Sequence, residues 1–330
     1  MSTPVSQVSG EVGAAEGGAP EGGAGRRGVA AGVAEASRMG GIALKNGLIV
    51  VSQRHWAAAI RDADGGISVA SGNKPRLPLG GSRGDGTGGV PLLRGLGRFG
   101  EALLVLAVVK SRLPGAELPL EGGRVAAALA GSVAATSAVK RLAPKSALVQ
   151  EAGSALAAFI PAVLVLKNSP ITGYHGAEHK VIGGREAALR DASGIAAGAA
   201  APAGDAATAG EGSSAAHAGA AAASKEHDRC GSNLVGPYLL ATVATNLVAR
   251  GRSGKKSPAG SAVAGAVSLG VALEALRWAS KNGDSLLARL MLLPGRTIQK
   301  HLSTTEPSVD QLEVGERAMA ELVRLEKATG

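Results

Sequence analysis

The sequence predicts a mainly α-helical fold, a multi-pass membrane helical bundle with a small β-rich N-terminal portion. Two observations predict the bundle: four apolar stretches have helical length, and Lys and Arg residues cluster beside them. A third predicts the β-rich portion, because short apolar runs early in the chain alternate with Asn-Gly and Asp-Gly-Gly turn signals. The four apolar stretches are residues 125–139, 148–166, 234–249 and 262–279.

Small residues dominate these stretches. Hydrophobic residues make up 45% of the chain but aromatic residues only 2%, so a large aromatic-rich soluble core is not expected. Closely packed transmembrane helices use the same small residues at their contacts. Because Glu151 and Glu274 interrupt two of the stretches, a soluble alanine-rich helical bundle stays open as the alternative.

Charge and cysteine content narrow the class of protein. The net charge of +9 comes without a basic patch interleaved with aromatic residues, so nucleic-acid binding is not expected. The single cysteine, Cys230, excludes an internal disulfide framework. We expect a bacterial inner membrane or a plastid-type membrane as the location. Membrane lipids are the expected partners, and a homo-oligomer stays open.

The N-terminal part of the chain divides in two. Residues 1–38 are rich in Gly, Ala, Ser and Pro and lack the apolar core of a signal peptide, so they are predicted to be disordered. Residues 39–90 are predicted to form a small β-hairpin region, with strands at residues 56–60 and 67–69.

Residues 91–325 are predicted to form a helical membrane domain. Its first helix, residues 92–112, carries charges in its first turns and is expected to be amphipathic or partly inserted. Residues 191–224 have low complexity and are predicted to be a flexible insertion. Residues 313–327 form a predicted amphipathic tail helix that packs on a cytosolic surface. Its apolar stripe consists of Val314, Ala318, Leu322 and Leu325.

Two histidines stand four residues apart in the segment GYHGAEHKVIGG. If the segment is helical, His175 and His179 share one face and can bind one metal ion. Glu178 completes the order His-x-x-Glu-His, that of inverted zincins, in which the glutamate acts as base on a metal-bound water. Gly176 weakens this helix, and two histidines that only form hydrogen bonds near a membrane interface are the alternative interpretation.

A second ligand-spaced pair, His227 and Cys230, lies in the segment KEHDRCGSN. Zinc takes three or four nitrogen, sulfur or carboxylate ligands, and this pair supplies the missing ones. The chain has six histidines and one cysteine, and four of these seven residues fall into the two pairs. Four protein ligands would close the site and make it structural, whereas three would leave a water position for catalysis.

Glu274 is a carboxylate inside an otherwise apolar helix. Ionisable residues in such helices are costly and face a cavity, a partner or a metal ion. Inverted zincins take their third ligand as a glutamate from a later helix, so Glu274 is a candidate ligand. An ion pair with Arg277 or Lys281 near the helix end is the alternative.

Several motifs occur here in the order typical of a known family. They are YHGAEHKVI, HDRCGSN, the helix of Glu274 and the tail LLPGRTIQKHLSTTEPSVDQLEVGERAMAEL. Over residues 39–325, outside the insertion, the chain resembles the YqhQ-like family, also called domain of unknown function 1385. The family's usual N-terminal motif has a glutamate where this chain has Lys45 or Asn46.

The resemblance implies a membrane location and a metal site at the two central motifs, since the family is described as predicted metal-dependent membrane enzymes. We therefore expect a divalent metal ion, with zinc as the first choice, and a hydrolase that acts on a peptide or lipid-linked substrate at the membrane interface. A non-enzymatic membrane assembly or scaffold factor with a structural zinc site is the alternative. The candidate ligands are His175, His179, His227, Cys230 and Glu274, and the candidate base is Glu178.

Overall fold

The computed structural model is mainly helical, with a small antiparallel sheet near the N-terminus. The predicted disordered segment 1–38 and most of the predicted insertion lie outside the described residues. The structure describes residues 39–78, 90–119, 121–143, 146–167, 169–192, 219–227, 230–250 and 258–329.

Four strands form the sheet, in the order β1-β2-β3-β4 with antiparallel neighbours. The turn signal at Asn46-Gly47 joins the first two strands, and the signal at Asp64-Gly65-Gly66 joins the last two. The predicted strands 56–60 and 67–69 lie inside the third and fourth. The strands are β1 (Gly40–Ala43), β2 (Gly47–Val51), β3 (His55–Arg61) and β4 (Ile67–Asn73).

Eight long helices follow the sheet in the described chain. They are α1 (Leu93–Arg112), α2 (Gly123–Leu142), α3 (Ala147–Leu166), α4 (Pro170–Ala192), α5 (Val235–Arg250), α6 (Pro258–Lys281), α7 (Leu286–Ile298) and α8 (Val309–Thr329). A 3-10 helix, Gly231–Leu234, leads into α5, and a π-helix, Gln299–Ser303, ends α7.

The sheet buries both of its faces, because successive side chains of a strand point to opposite sides. Leu48 and Ala57 belong to a core that α4 and α8 cover. Ile49 and Trp56 belong to a second core, which α1 covers. Of the stripe predicted for the tail helix, Val314, Ala318 and Leu322 are buried in the first core and Leu325 is half-buried.

Within the described ranges, three helices are long and apolar enough to cross a membrane: Gly123–Leu142, Ala147–Leu166 and Ala259–Lys281. They cover three of the four predicted apolar stretches, while α5 has only 16 residues. Many of their large apolar side chains are exposed, Val133 and Leu164 among them. These three helices are compatible with association with a membrane, and they are fewer than a multi-pass bundle would imply.

Candidate metal centre

Helix α4 carries His175 and His179 one turn apart, with their ring centroids separated by 4.5 Å. The helix continues through Gly176, which the sequence marks as a weak point. A Cβ atom at Gly176 would lie 2.1 Å from the carbonyl oxygen of Thr305. Glycine is therefore needed here for the close approach of the segment that follows the π-helix.

Cys230 follows the insertion in sequence and lies next to the two histidines in the structure. One ligand atom from each of His175, His179 and Cys230 lies within 4.8 Å of the others. Cys230 caps the 3-10 helix, where its sulfur accepts a hydrogen bond from the backbone N–H of Ser232. Its Sγ lies 3.1 Å from Nε2 of His175. The structure thus brings three of the five candidate ligands into one group.

Backbone carbonyl groups orient both imidazoles. The Nδ1 atom of His175 donates to the carbonyl oxygen of Ser303 at 2.9 Å, and Nδ1 of His179 donates to that of Lys225 at 2.6 Å. Because a carbonyl oxygen only accepts, each ring carries its proton on Nδ1 and keeps a lone pair on Nε2. Metal-binding histidines are held in this way by their second nitrogen.

The Nε2 atom of His179 is buried and, among the described residues, has no hydrogen-bond partner. A buried nitrogen without a partner carries a free-energy penalty, which a bound metal ion would remove. Two imidazole nitrogens and one thiolate sulfur form a donor set suited to Zn²⁺. The residues present therefore fit the metal ion that the sequence motifs imply.

A cavity of about 120 Å³ adjoins the three-ligand group, and Glu178 lines it. Burial raises the pKa of the Glu178 carboxyl, against the opposing effects of His175 and His227. The backbone of β1 packs tightly on this side chain, since a Cβ atom at Gly41 would lie 2.5 Å from Cγ of Glu178. Glu178 is thus enclosed beside the candidate ligands.

His227 lines the same cavity but is not one of the three grouped ligands. Its ring centroid lies 5.8 Å from that of His179, and its Nε2 atom lies 3.4 Å from Oε2 of Glu186. The buried side chain of Gln299 holds its backbone by accepting from the N–H at 3.0 Å and donating to the carbonyl at 3.2 Å. His227 is therefore positioned at the edge of the site.

Glu274 belongs to a different cluster. Its carboxylate forms a two-point ion pair with Arg94 of α1, at 2.7 Å from Nε and 2.5 Å from Nη2. Glu274 is not one of the three grouped ligands, and its ion-pair partner differs from the predicted alternatives Arg277 and Lys281. The reason is that α1 packs beside α6, a contact between residues 180 positions apart in sequence.

Sequence reasoning missed several residues that support the site. Gly41 packs on Glu178, and Gln299 and Ser303 hold His227 and His175. Their sequence patterns are weak indicators of a functional site, because a glycine pair and single polar residues in a tail motif are common. Only their packing against α4 and the segment before Cys230 distinguishes them.

A second, larger cavity of about 460 Å³ is mostly apolar. It is lined by Phe99, Phe159 and Tyr238, although the whole chain contains only two phenylalanines and two tyrosines. Gly231 lines both this apolar cavity and the cavity at the candidate metal centre. The two cavities therefore share one short piece of backbone as a wall.

Comparison with known proteins gives one match. Residues 210–325 match the family model described as protein of unknown function (DUF1385). No curated protein and no solved structure matches the chain. The matched range contains His227 and Cys230 but ends short of the α4 histidines on its N-terminal side. The resemblance seen in the motifs is thus supported over residues 210–325, as a domain of unknown function.

Proposed function

We propose that this protein is a zinc-dependent hydrolase that works at a membrane surface. The observation that carries the proposal is the buried Nε2 of His179, which has no hydrogen-bond partner among the described residues. His179 belongs to the group in which one ligand atom from each of His175, His179 and Cys230 lies within 4.8 Å of the others. Three protein ligands are typical of catalytic zinc sites, which keep one further position open.

Glu178 supports a catalytic role for the site. A bound divalent metal ion supplies Lewis-acid chemistry and makes water a stronger nucleophile near neutral pH. In the proposed reaction, the Glu178 carboxylate accepts the proton of the attacking water and returns it to the leaving group. The enclosing backbone at Gly41 holds this carboxylate in the cavity that His175 and His179 also line.

The neighbouring apolar cavity favours a lipid-linked substrate over a peptide. Its volume of about 460 Å³ lies in the range of small-molecule sites, and its aromatic lining suits an apolar chain. Because Gly231 separates it from the polar cavity, a substrate could place its apolar portion in one and its reacting group in the other.

Metal analysis of the purified full chain tests the metal site. We expect about one zinc ion per wild-type chain, and loss of that zinc in His179→Ala and Cys230→Ser. His301→Ala is the matched control, because His301 is exposed and does not line the cavity. A wild-type protein without stoichiometric metal would overturn the proposal.

Ester hydrolysis tests the chemistry. We expect the zinc-loaded chain to hydrolyse a p-nitrophenyl ester with a long acyl chain faster than one with a short chain. Glu178→Gln should keep its zinc and lose about 10²- to 10⁴-fold in rate, because a general base contributes that much. Equal rates for wild type and Glu178→Gln would exclude the proposed base.

His227 supports a second candidate function, a structural zinc site in a membrane assembly or scaffold factor. It lines the same cavity, with its ring 5.8 Å from that of His179. A shift of His227 onto the metal ion would give four protein ligands and close the site. Loss of zinc in His227→Ala, together with absent hydrolysis by the wild type, would favour this structural function.

A further inference from the structure

Helix α1 packs beside α6, and the two helices run in the same direction. A Cβ atom at Gly270 would lie 3.2 Å from Cβ of Leu92, and one at Gly95 would lie 3.0 Å from Cβ of Leu273. From the first pair to the second, the position advances by three residues along each helix. One turn further on, this register brings Arg98 of α1 next to Arg277 of α6.

Among the described residues of this region, Arg98 and Arg277 have no ion-pair partner of their own, although Glu101 and Glu274 attract Arg98 and Glu274 attracts Arg277. Arg94 pairs with Glu274, and Lys74 pairs with Glu101 at 3.1 Å. Within the described parts of the chain, neither Arg98 nor Arg277 has a carboxylate at ion-pair distance. The cluster therefore has a net charge of +2, from four cationic and two anionic side chains. Its members are Lys74, Arg94, Arg98, Glu101, Glu274 and Arg277.

The two guanidinium groups, which have no ion-pair partner of their own, repel each other. The Nη1 atom of Arg277 is buried and has no hydrogen-bond partner among the described residues. Desolvation, followed by the like charge of Arg277, lowers the pKa of Arg98, although much of the Arg98 side chain is exposed to solvent. Two adjacent arginines with unused donors match the oxygens of a phosphate group, which they can bind in a bidentate manner.

The surroundings of this arginine pair are those of a membrane surface. Arg277 lies near the end of the candidate span Ala259–Lys281, and the next residue, Trp278, is 41% exposed. Helix α1 exposes Phe99 and Leu103 close to Arg98. Exposed aromatic side chains and arginines at the end of an apolar helix are typical of the membrane–water boundary, where lipid phosphates are concentrated.

We propose that Arg98 and Arg277 bind the phosphate headgroup of an anionic phospholipid where α1 meets α6. The exposed apolar residues of α1 and Trp278 contact the acyl region of the same lipid. Neither arginine lines the candidate metal centre or the apolar cavity beside it, although Phe99 lines that cavity. The inference therefore does not rest on the proposed hydrolase function. Its basis is the charge complementarity between the arginine pair and a phosphate.

Lipid titration of the detergent-purified full chain tests the inference. The probes are short-chain phosphatidylglycerol and phosphatidylcholine, with binding read by native mass spectrometry. We expect wild type to prefer phosphatidylglycerol, and Arg98→Gln/Arg277→Gln to weaken its binding about 30-fold, at roughly fivefold per arginine. Arg98→Lys/Arg277→Lys should retain most of the preference, because the charge is kept.

The matched control is Arg124→Gln/Arg141→Gln, which removes the same charge from exposed positions at the two ends of α2. It should leave the preference for phosphatidylglycerol unchanged. Equal weakening in this control would show a diffuse charge effect and overturn the site, as would equal binding of the two lipids by wild type. Saturation by inorganic phosphate at the same concentration would overturn the lipid as occupant.

If Arg98→Gln/Arg277→Gln does not fold, the single variant Arg98→Gln decides the question, because the Arg98 side chain is exposed. It should weaken phosphatidylglycerol binding about fivefold. Unchanged binding in a folded Arg98→Gln variant would overturn the inference. Zinc content measured on the same samples shows whether the metal centre stays intact.

Discussion

Gly40 and Gly41 are neighbours on β1, yet only one of them contacts the candidate metal centre. A Cβ atom at Gly41 would meet the buried Glu178 side chain at 2.5 Å, whereas one at Gly40 would have nothing within 4 Å. We expect Gly41→Ala to lower the free energy of unfolding by about 1–3 kcal/mol, because it overpacks an enclosed site. The measurement is chemical denaturation of the purified protein.

Gly40→Ala is the control for this substitution, since it makes the same chemical change on the same strand. It should be neutral or slightly stabilising, by up to about 1 kcal/mol, because alanine loses less conformational entropy than glycine in a strand. If both variants lose equal stability, the effect belongs to the strand and not to the contact with Glu178.

Of the two ligand-spaced pairs, only His175 and His179 could be predicted from helical spacing, because His227 and Cys230 do not lie in a helix and His227 is not one of the grouped ligands. His175 and His179 lie one helical turn apart on α4, and Cys230 reaches them. The partner of Glu274 could not be predicted, because Arg94 lies in another helix and no local spacing connects the two. The carbonyl groups that orient the imidazole rings could not be predicted from sequence either, since every residue has a carbonyl group.

The secondary-structure elements also differ in how well they could be predicted from sequence. The helices with sustained apolar residues were predicted to within a few residues, but β1 and β2 were indicated only by the turn between them. Their pairing depends on β3, which lies later in the chain. Tertiary context decides such short strands, because a strand of four or five residues is not stable by itself.

A buried ion pair connects α3 and α5. Glu151 is 2% exposed, and its Oε1 atom lies 2.8 Å from Nε and 2.7 Å from Nη2 of Arg250. We expect Arg250→Met to cost about 3–5 kcal/mol, because it removes the guanidinium that compensates a buried carboxylate. The measurement is unfolding of the protein in detergent micelles.

The double variant Glu151→Met/Arg250→Met serves as the comparison. It removes both charges, so we expect it to be more stable than Arg250→Met alone. A double variant that is less stable than the single one would mean that the carboxylate stabilises the helix pair through other contacts.

Helix α8 is attached to β4 by a titratable contact. Glu321 accepts hydrogen bonds from Arg324 and from Ser71 of β4, and these bonds lower the pKa of its carboxyl to about 2. A depressed folded-state pKa adds stability above the unfolded value of 4.5 and loses it as pH falls toward 2. We expect the stability advantage of wild type over Glu321→Gln to be present at pH 6 and to disappear across this window.

Thermal unfolding at a series of pH values measures this advantage. Because Arg324 is 65% exposed, screening by solvent and salt keeps the effect small. Glu326→Gln removes a carboxylate from the same helix without touching Ser71 or Arg324 and is the matched control. A pH-independent difference between wild type and Glu321→Gln would show that only the neutral hydrogen bonds matter.

At the scale of the whole molecule, the sheet and the apolar helices differ in how much of their apolar surface is buried. The sheet, α4 and α8 form a well-buried core that supports one wall of the candidate metal centre. Helices α2 and α3 pack on each other and leave most of their apolar surface exposed. Such exposed surface is unusual for a soluble domain, which keeps contiguous apolar patches small.

A membrane location would surround this exposed apolar surface with lipid, and substitutions in α2 test it. Val133 lies at the middle of α2 with 67% of its surface exposed, and Leu142 lies at its end with 85% exposed. If α2 crosses the bilayer, Val133→Arg places a charge at the centre of the hydrocarbon region and costs about 2.5–3.5 kcal/mol. Leu142→Arg costs little, because an arginine at the helix end reaches the interface.

The fraction of protein that resists carbonate extraction from membranes measures the difference. We expect wild type and Leu142→Arg to stay in the membrane and Val133→Arg to be partly released. Release of the wild type would favour the soluble helical bundle. Equal behaviour of the two variants would mean that α2 lies along the surface, because only a spanning helix distinguishes its centre from its end.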